Sequence, residues 1–173
     1  MASCNADIYT DGSSKGNPGP SGVGVVILVG SRAWDGKKRF EFSAPISFST
    51  ANYAELMAVS LALSSLKKLP CRGFKQVTIS TDSSYVLKVL KEGSSLTRNR
   101  AVIDEIRSFS KRFPITFRKV KAHAGVVWNE RADSLANLAA KRAGQSSAIR
   151  VSAKLIKLGW ENLSDFFLKE SFS

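Results

Sequence analysis

A short strand around Ile8 and Tyr9 runs directly into a carboxylate, Asp11, and then into a turn dense in Gly, Pro, Ser and Asn, residues 12–20. The same grammar returns at residues 76–83, where Gln-Val-Thr-Ile-Ser-Thr reads as a strand, Asp82 closes it and Ser83 opens a turn. This repetition constrains the chain more than any other feature. If the two strands lie side by side and parallel, their acids meet at one edge of the sheet, where open α/β sheets place their sites. Like charges gathered at one place imply a cation between them. Asp before Gly or Ser also serves as a plain turn residue, so the decision falls to what else the chain brings to that edge.

Between and after the two junctions the pattern is regular. Residues 22–29 are a nearly continuous apolar run fit for a buried strand, with glycines that suggest close backbone approach. Residues 39–43 alternate, and Asp35-Gly36 before them can turn a hairpin, so residues 5–48 read as an antiparallel three-strand unit. Residues 50–69 form the clearest helix, with Thr50 or Asn52 as its cap and Pro70 at its end. Ala58, Val59, Ala62 and Leu66 recur on the face that carries Glu55, which directs a carboxylate toward the core. That is expensive for an ionised group unless it is paired or bound to metal. A capping box from Glu55 back to Asn52 is the simpler alternative. Helices follow over 83–91 and 101–112, then a strand over 114–121 with one basic face. The chain's one histidine, His123, lies in the next loop, and Asn129 can cap a helix over 130–143. Its stripe is Ala132, Leu135, Ala136 and Ala139, bordered by Asp133. Residues 1–144 read as one domain, and 145–173 as a C-terminal extension with enough apolar residues for one or two helices.

Composition narrows the partners. Lys and Arg number 26 against 14 Asp and Glu, a net charge of +12, which favours polyanions, nucleic acid first. Cys4 and Cys71 read as isolated thiols without metal-ligand spacing, which points to a reducing intracellular compartment, cytoplasmic or nuclear. No apolar run reaches membrane-spanning length and residues 1–5 carry no signal-peptide pattern.

Four carboxylates thus converge: Asp11 and Asp82 at strand ends, Glu55 and Asp133 on helix faces. Oxygen-only ligation suits Mg²⁺ or Mn²⁺ rather than zinc. Acids at the centre of a basic protein make sense for a phosphodiester substrate, where two ions about 3.5–4 Å apart activate water and steady the leaving oxygen.

The segments Tyr9-Thr10-Asp11-Gly12-Ser13, Ala54-Glu55-Leu56-Met57-Ala58, Ser80-Thr81-Asp82-Ser83, Val120-Lys121-Ala122-His123-Ala124-Gly125 and Asn129-Glu130-Arg131-Ala132-Asp133 together resemble type 1 ribonuclease H, over residues 5–143. The resemblance implies an α/β fold, a mixed five-stranded sheet of order 3-2-1-4-5 flanked by helices. It implies two-metal hydrolysis of the RNA strand of RNA–DNA hybrids, leaving 5′-phosphate and 3′-hydroxyl ends, with two Mg²⁺ (or Mn²⁺) ions when substrate is bound. Asp11, Glu55, Asp82 and Asp133 carry over as metal ligands, and His123 as the mobile group that assists proton transfer or product release. Ser14, Asn17, Thr50 and Asn52 match positions that contact the hybrid. The chain departs from many bacterial members in lacking a basic protrusion, with only the connector 92–100 in its place. Ala51 stands where an Asn commonly reads RNA 2′-hydroxyls, and the His loop continues as an apolar Val126-Val127-Trp128. Lys15, Arg98, Arg100 or the extension then supply hybrid affinity. The protein is expected to act as a monomer, with the extension available to a protein partner. A nucleic-acid-binding module of the same fold with weak or no catalysis, or the ribonuclease H segment of a retroelement polyprotein, are the alternative readings. All four acids stand against the first, and Met1 fits a free-standing product.

Overall fold

The computed structural model describes residues 4–30, 38–71, 73–91, 98–122, 124–145 and 169–171. In chain order the elements are β1 (Cys4–Ser14), β2 (Gly19–Gly30), β3 (Lys38–Ser49), α1 (Ala51–Leu66), β4 (Phe74–Thr81), α2 (Ser84–Leu90), α3 (Arg100–Phe109), β5 (Ile115–Lys119), α4 (Val127–Gln145) and β6 (Lys169–Ser171). The sheet runs β5-β4-β1-β2-β3-β6. Its first five strands have the expected order, and β6 adds a short antiparallel strand outside β3. The β1–β2–β3 unit is antiparallel, while β1–β4 and β4–β5 are parallel.

Side-chain alternation along β2 divides the interior into two layers. Val23, Val25 and Ile27 face the larger core, shared with Ile8, Val77 and Ile79 and covered by α1, α2 and α3. Val26 and Leu28 face the other way and meet Ala132 and Leu135 of α4, with Tyr9 and Trp128 at the margin. Here α4 lies on backbone. A Cβ on Gly24 would stand 2.0 Å from the Ala132 carbonyl oxygen, so only glycine admits the helix at that distance. Polar contacts fix its first turn as well. Buried Glu41 of β3 accepts a 2.7 Å bond from Arg131 and an ion pair from Arg39 at 3.4 Å, and Arg39 also lies over the Trp128 ring.

Thr50 caps α1, its hydroxyl accepting from the Tyr53 amide. At the other end the helix tightens into three-residue turns through Leu69 and stops at Pro70, which has no N–H to offer. Ser83 caps α2 in the same way as Thr50.

Three expectations change. The strand β1 does not stop before Gly12. Its antiparallel pairing continues through Asp11↔Gly24 to Ser14↔Ser21, whereas its parallel pairing with β4 ends at Tyr9↔Ser80. Asp11 therefore sits where one neighbour leaves and the other remains, a split that residue types alone do not show. Helix α4 begins at Val127, so Asn129 lies inside its first turn and does not cap it. Cys4 and Cys71 are bonded to each other, joining the start of β1 to the chain after α1. The thiol argument for a reducing compartment falls with that bond. The proposed turn at Asp35-Gly36, most of the 92–100 connector, His123 and residues 151–168 of the helices expected within 151–172 lie outside the described residues, while Lys169–Ser171, expected as helix, is strand because it pairs with β3. Among the described residues no helix is long and apolar enough to cross a membrane.

Candidate active site

Three carboxylates meet where β1 and β4 end. Asp11, Glu55 and Asp82 each offer an oxygen, and these oxygens lie within 4.8 Å of one another. The first and third arrive because β1 and β4 are parallel neighbours in register. Glu55 arrives because α1 crosses β1 at the distance of bare backbone. A Cβ on Gly12 would stand 2.3 Å from the Glu55 amide nitrogen, and no side chain fits that gap. The Gly12 backbone N–H faces both Asp11 and Glu55 and favours their charged forms. No capping box with Asn52 is involved.

Electrostatics at this edge are severe. Burial, then the charges of Asp82 and Asp133 and a hydrogen bond shared with Asp133, push the Asp11 carboxyl from 3.8 up to about 7, against the opposing pull of Gly12. Glu55 is raised well above the ordinary range, first by burial and then by Asp11 and Asp82. Its Oε2 is buried without a hydrogen-bond partner. An unpaired carboxylate oxygen inside a crowd of acids is a costly arrangement that a cation relieves. The donor set is all oxygen, as hard divalent ions require. The residues present therefore fit such a metal.

Asp133 approaches from α4 on the other side of the sheet and reaches Asp11. It is half-buried, and its Oδ1 accepts a 2.7 Å bond from Asn137 one turn further on. Asn129 is almost fully enclosed at 3% exposure and donates to Asp82 Oδ2 at 3.3 Å, leaving its own Oδ1 unpartnered. The cap role expected of Asn129 is thus replaced by a contact to the acid cluster. Neither amide was singled out for the site by sequence reasoning. The signal for Asn137 was available, since residues four apart share a helix face. That for Asn129 depends on where α4 begins.

The proposed substrate contacts gather at one corner. Ser14 Oγ has the Ser49 carbonyl, at 3.0 Å, and the Gly16 carbonyl as acceptors for its one proton, and Asn17 Oδ1 accepts from the Ala51 amide at 3.3 Å. The β1–β2 turn is thereby fastened to the start of α1, where Thr50 caps the helix and Asn52 is exposed. Beyond β5, Gly125 takes a positive φ and its N–H donates to Glu130 Oε1 at 3.0 Å, which ties the loop after residue 123 to α4.

A mixed sheet that carries acids at the ends of two central parallel strands, one buried and one half-buried, with further acids supplied from both faces, defines the ribonuclease H-like class of α/β folds. Comparison with known proteins agrees. The RNase H family profile matches residues 4–141. Ribonuclease HI of Caulobacter vibrioides is 37% identical, matched over 75% of this chain and 89% of that protein. Ribonuclease H of Cupriavidus metallidurans is 38% identical over 75% and 91%. Among solved structures, RNase H1 of Halobacterium salinarum superposes with a TM-score of 0.64 at 30% identity, covering 80% of this chain and 98% of that one. An RNase H1 in complex with RNA/DNA hybrid superposes at 0.65 and 29% identity, covering 80% and 99%. This chain belongs to the type 1 ribonuclease H family.

Proposed function

We propose that this ribonuclease H cuts the RNA strand of RNA–DNA hybrids, with Asp11, Glu55, Asp82 and Asp133 as the ligands of two Mg²⁺ (or Mn²⁺) ions. The observation that carries the reading is the Asp11–Glu55–Asp82 cluster, three oxygens within 4.8 Å of one another, together with the buried, unpartnered Oε2 of Glu55. Metal bound there with substrate supplies activated water on one side of the phosphate and charge stabilisation on the leaving oxygen. The chain's own residues do the rest. The Gly12 N–H orients two of the carboxylates, Asn129 steadies Asp82, and the basic exterior attracts the hybrid backbone. His123, in the loop between β5 and α4, assists proton transfer or product release, work suited to an imidazole with an ordinary pKa of about 6.5. Ser14, Asn17, Thr50 and Asn52 contact the hybrid from the corner where the β1–β2 turn meets α1. Residues 1–144 contain the chemistry and 145–173 form a separable extension. The family match ends at 141 and β6 pairs on the sheet edge beyond β3. A chain ending after Gln145 should therefore keep its metal-dependent cleavage.

The test uses labelled RNA–DNA hybrid, double-stranded RNA and double-stranded DNA, each with Mg²⁺, Mn²⁺ or chelator. The RNA of the hybrid should be cut, and only with divalent metal. Equal cutting of double-stranded DNA would contradict the proposal.

A further inference from the structure

The geometry points to Asn137 as a positioning residue that sets the metal-ligating carboxylate of Asp133, with Lys15 and Ser13 as its anchors. The inference rests on the two-metal reading given above. Asn137 lies one turn beyond Asp133 on α4 and is half-buried. Its amide nitrogen donates to Asp133 Oδ1 at 2.7 Å and to the Asp133 carbonyl at 3.1 Å. Its amide oxygen accepts from Lys15 Nζ at 2.7 Å and from Ser13 Oγ at 2.9 Å. The orientation of the amide follows from chemistry. A carboxylate only accepts and an ammonium only donates, so the nitrogen faces Asp133 and the oxygen faces Lys15.

The consequence is an indirect link. Ser13 lies near the end of β1, just after Asp11 and Gly12, and Lys15 follows that strand directly, so Asn137 ties the fourth acid on α4 to the strand that carries the first. Through the amide, the lysine's charge is kept one group away from Asp133. A direct Lys15–Asp133 pair would compete with a cation for that carboxylate, whereas a neutral donor orients it and leaves its charge available. Of the carboxylate's two oxygens, Asn137 engages one by its side chain, which limits rotation about the carboxyl group.

Full-length wild-type, Asn137→Leu, Asn137→Gln and Asn137→Asp proteins test this. The readouts are Mn²⁺ binding by calorimetry without substrate, kcat and KM against the metal concentration, and melting in chelator. Outer partners of metal ligands are worth about 10–100-fold in affinity. Asn137→Leu should therefore bind Mn²⁺ at least about tenfold more weakly, recover most of kcat at high metal, and keep the KM for hybrid. Its melting in chelator should shift far less than its metal response. Asn137→Gln retains a donor and an acceptor and should recover part of the loss. Asn137→Asp keeps the acceptor for Lys15 and Ser13 but faces Asp133 without a donor, so it should not recover it. Wild-type Mn²⁺ affinity in both the Leu and Asp variants would overturn the inference. So would a loss in the Leu variant matched by an equal loss of stability in chelator. If the Leu protein does not fold, the ordering of Gln above Asp decides. Failure of the wild-type protein to bind Mn²⁺ would sink the two-metal reading itself, and is separable from an Asn137 effect.

Discussion

The two long helices bring acids to the same edge by opposite means. Helix α1 is buried along most of its length and presents Glu55 by backbone contact, with Gly12 leaving no room for adjustment. Helix α4 also lies close, over Gly24, but it presents Asp133 at a half-exposed margin, where Asn137, anchored on Ser13 and Lys15, holds the carboxylate, while Arg131 pairs the helix's first turns with Glu41 of β3. One half of the site is set by the fold itself. The other is set by polar contacts between side chains. Gly125, whose N–H donates to Glu130, belongs to the second half as well.

The sharpest way to break that comparison is Gly12→Ala. A Cβ there meets the Glu55 amide nitrogen at 2.3 Å and the Ala54 carbonyl carbon at 2.4 Å, both backbone atoms. Overpacking typically costs about 1–3 kcal/mol and sometimes more. Melting temperature, Mn²⁺ binding and cleavage should all fall together, since α1 cannot retreat without withdrawing Glu55. A Gly12→Ala protein with wild-type cleavage would show that the close approach is dispensable.

His123→Ala should act on rate alone. General acid–base assistance is worth about 10²–10⁴-fold, so cleavage should slow by that order with melting unchanged. Single-turnover and steady-state rates on one hybrid check this, and wild-type rates in both regimes would make the histidine structural.

The smallest effect is on the pH dependence of the metal-free protein. The folded state raises the Asp11 carboxyl from 3.8 to about 7, so it holds a proton that the unfolded chain has released. The contribution of this group is present at low pH and is lost as pH rises through about 7. Glu55 acts in the same direction. Melting in chelator between pH 5 and 8 should decline more steeply for wild type than for Asp11→Asn. Divalent metal should stabilise the wild type more at pH 8 than at pH 5, because ligands bind deprotonated. Equal slopes for the two proteins in chelator would remove Asp11 from this role.

Much of this was legible in the sequence, for reasons that are local. The apolar face of residues 54–66 put Glu55 toward the interior, and two strand-to-acid junctions announced a shared edge. Ala132, Leu135 and Ala136 marked the buried face of α4. What escaped depends on partners distant in sequence. Strand β1 continues past Gly12 because β2 is still paired with it there. The bond between Cys4 and Cys71 spans a separation of 67 residues, and neither cysteine carries a local sign of it. Asn129 looked like a helix cap because its contact with Asp82 needs β4 in place first.

The central claim is that the carboxylate cluster directs hydrolysis by water at the phosphate, and the chemistry of the new RNA ends tests it most directly. Wild-type protein with Mg²⁺ and an RNA–DNA hybrid should leave 5′-phosphate and 3′-hydroxyl ends on the RNA, with no product when chelator replaces Mg²⁺. RNA ending in 2′,3′-cyclic phosphate, or cleavage that persists in chelator, would contradict it.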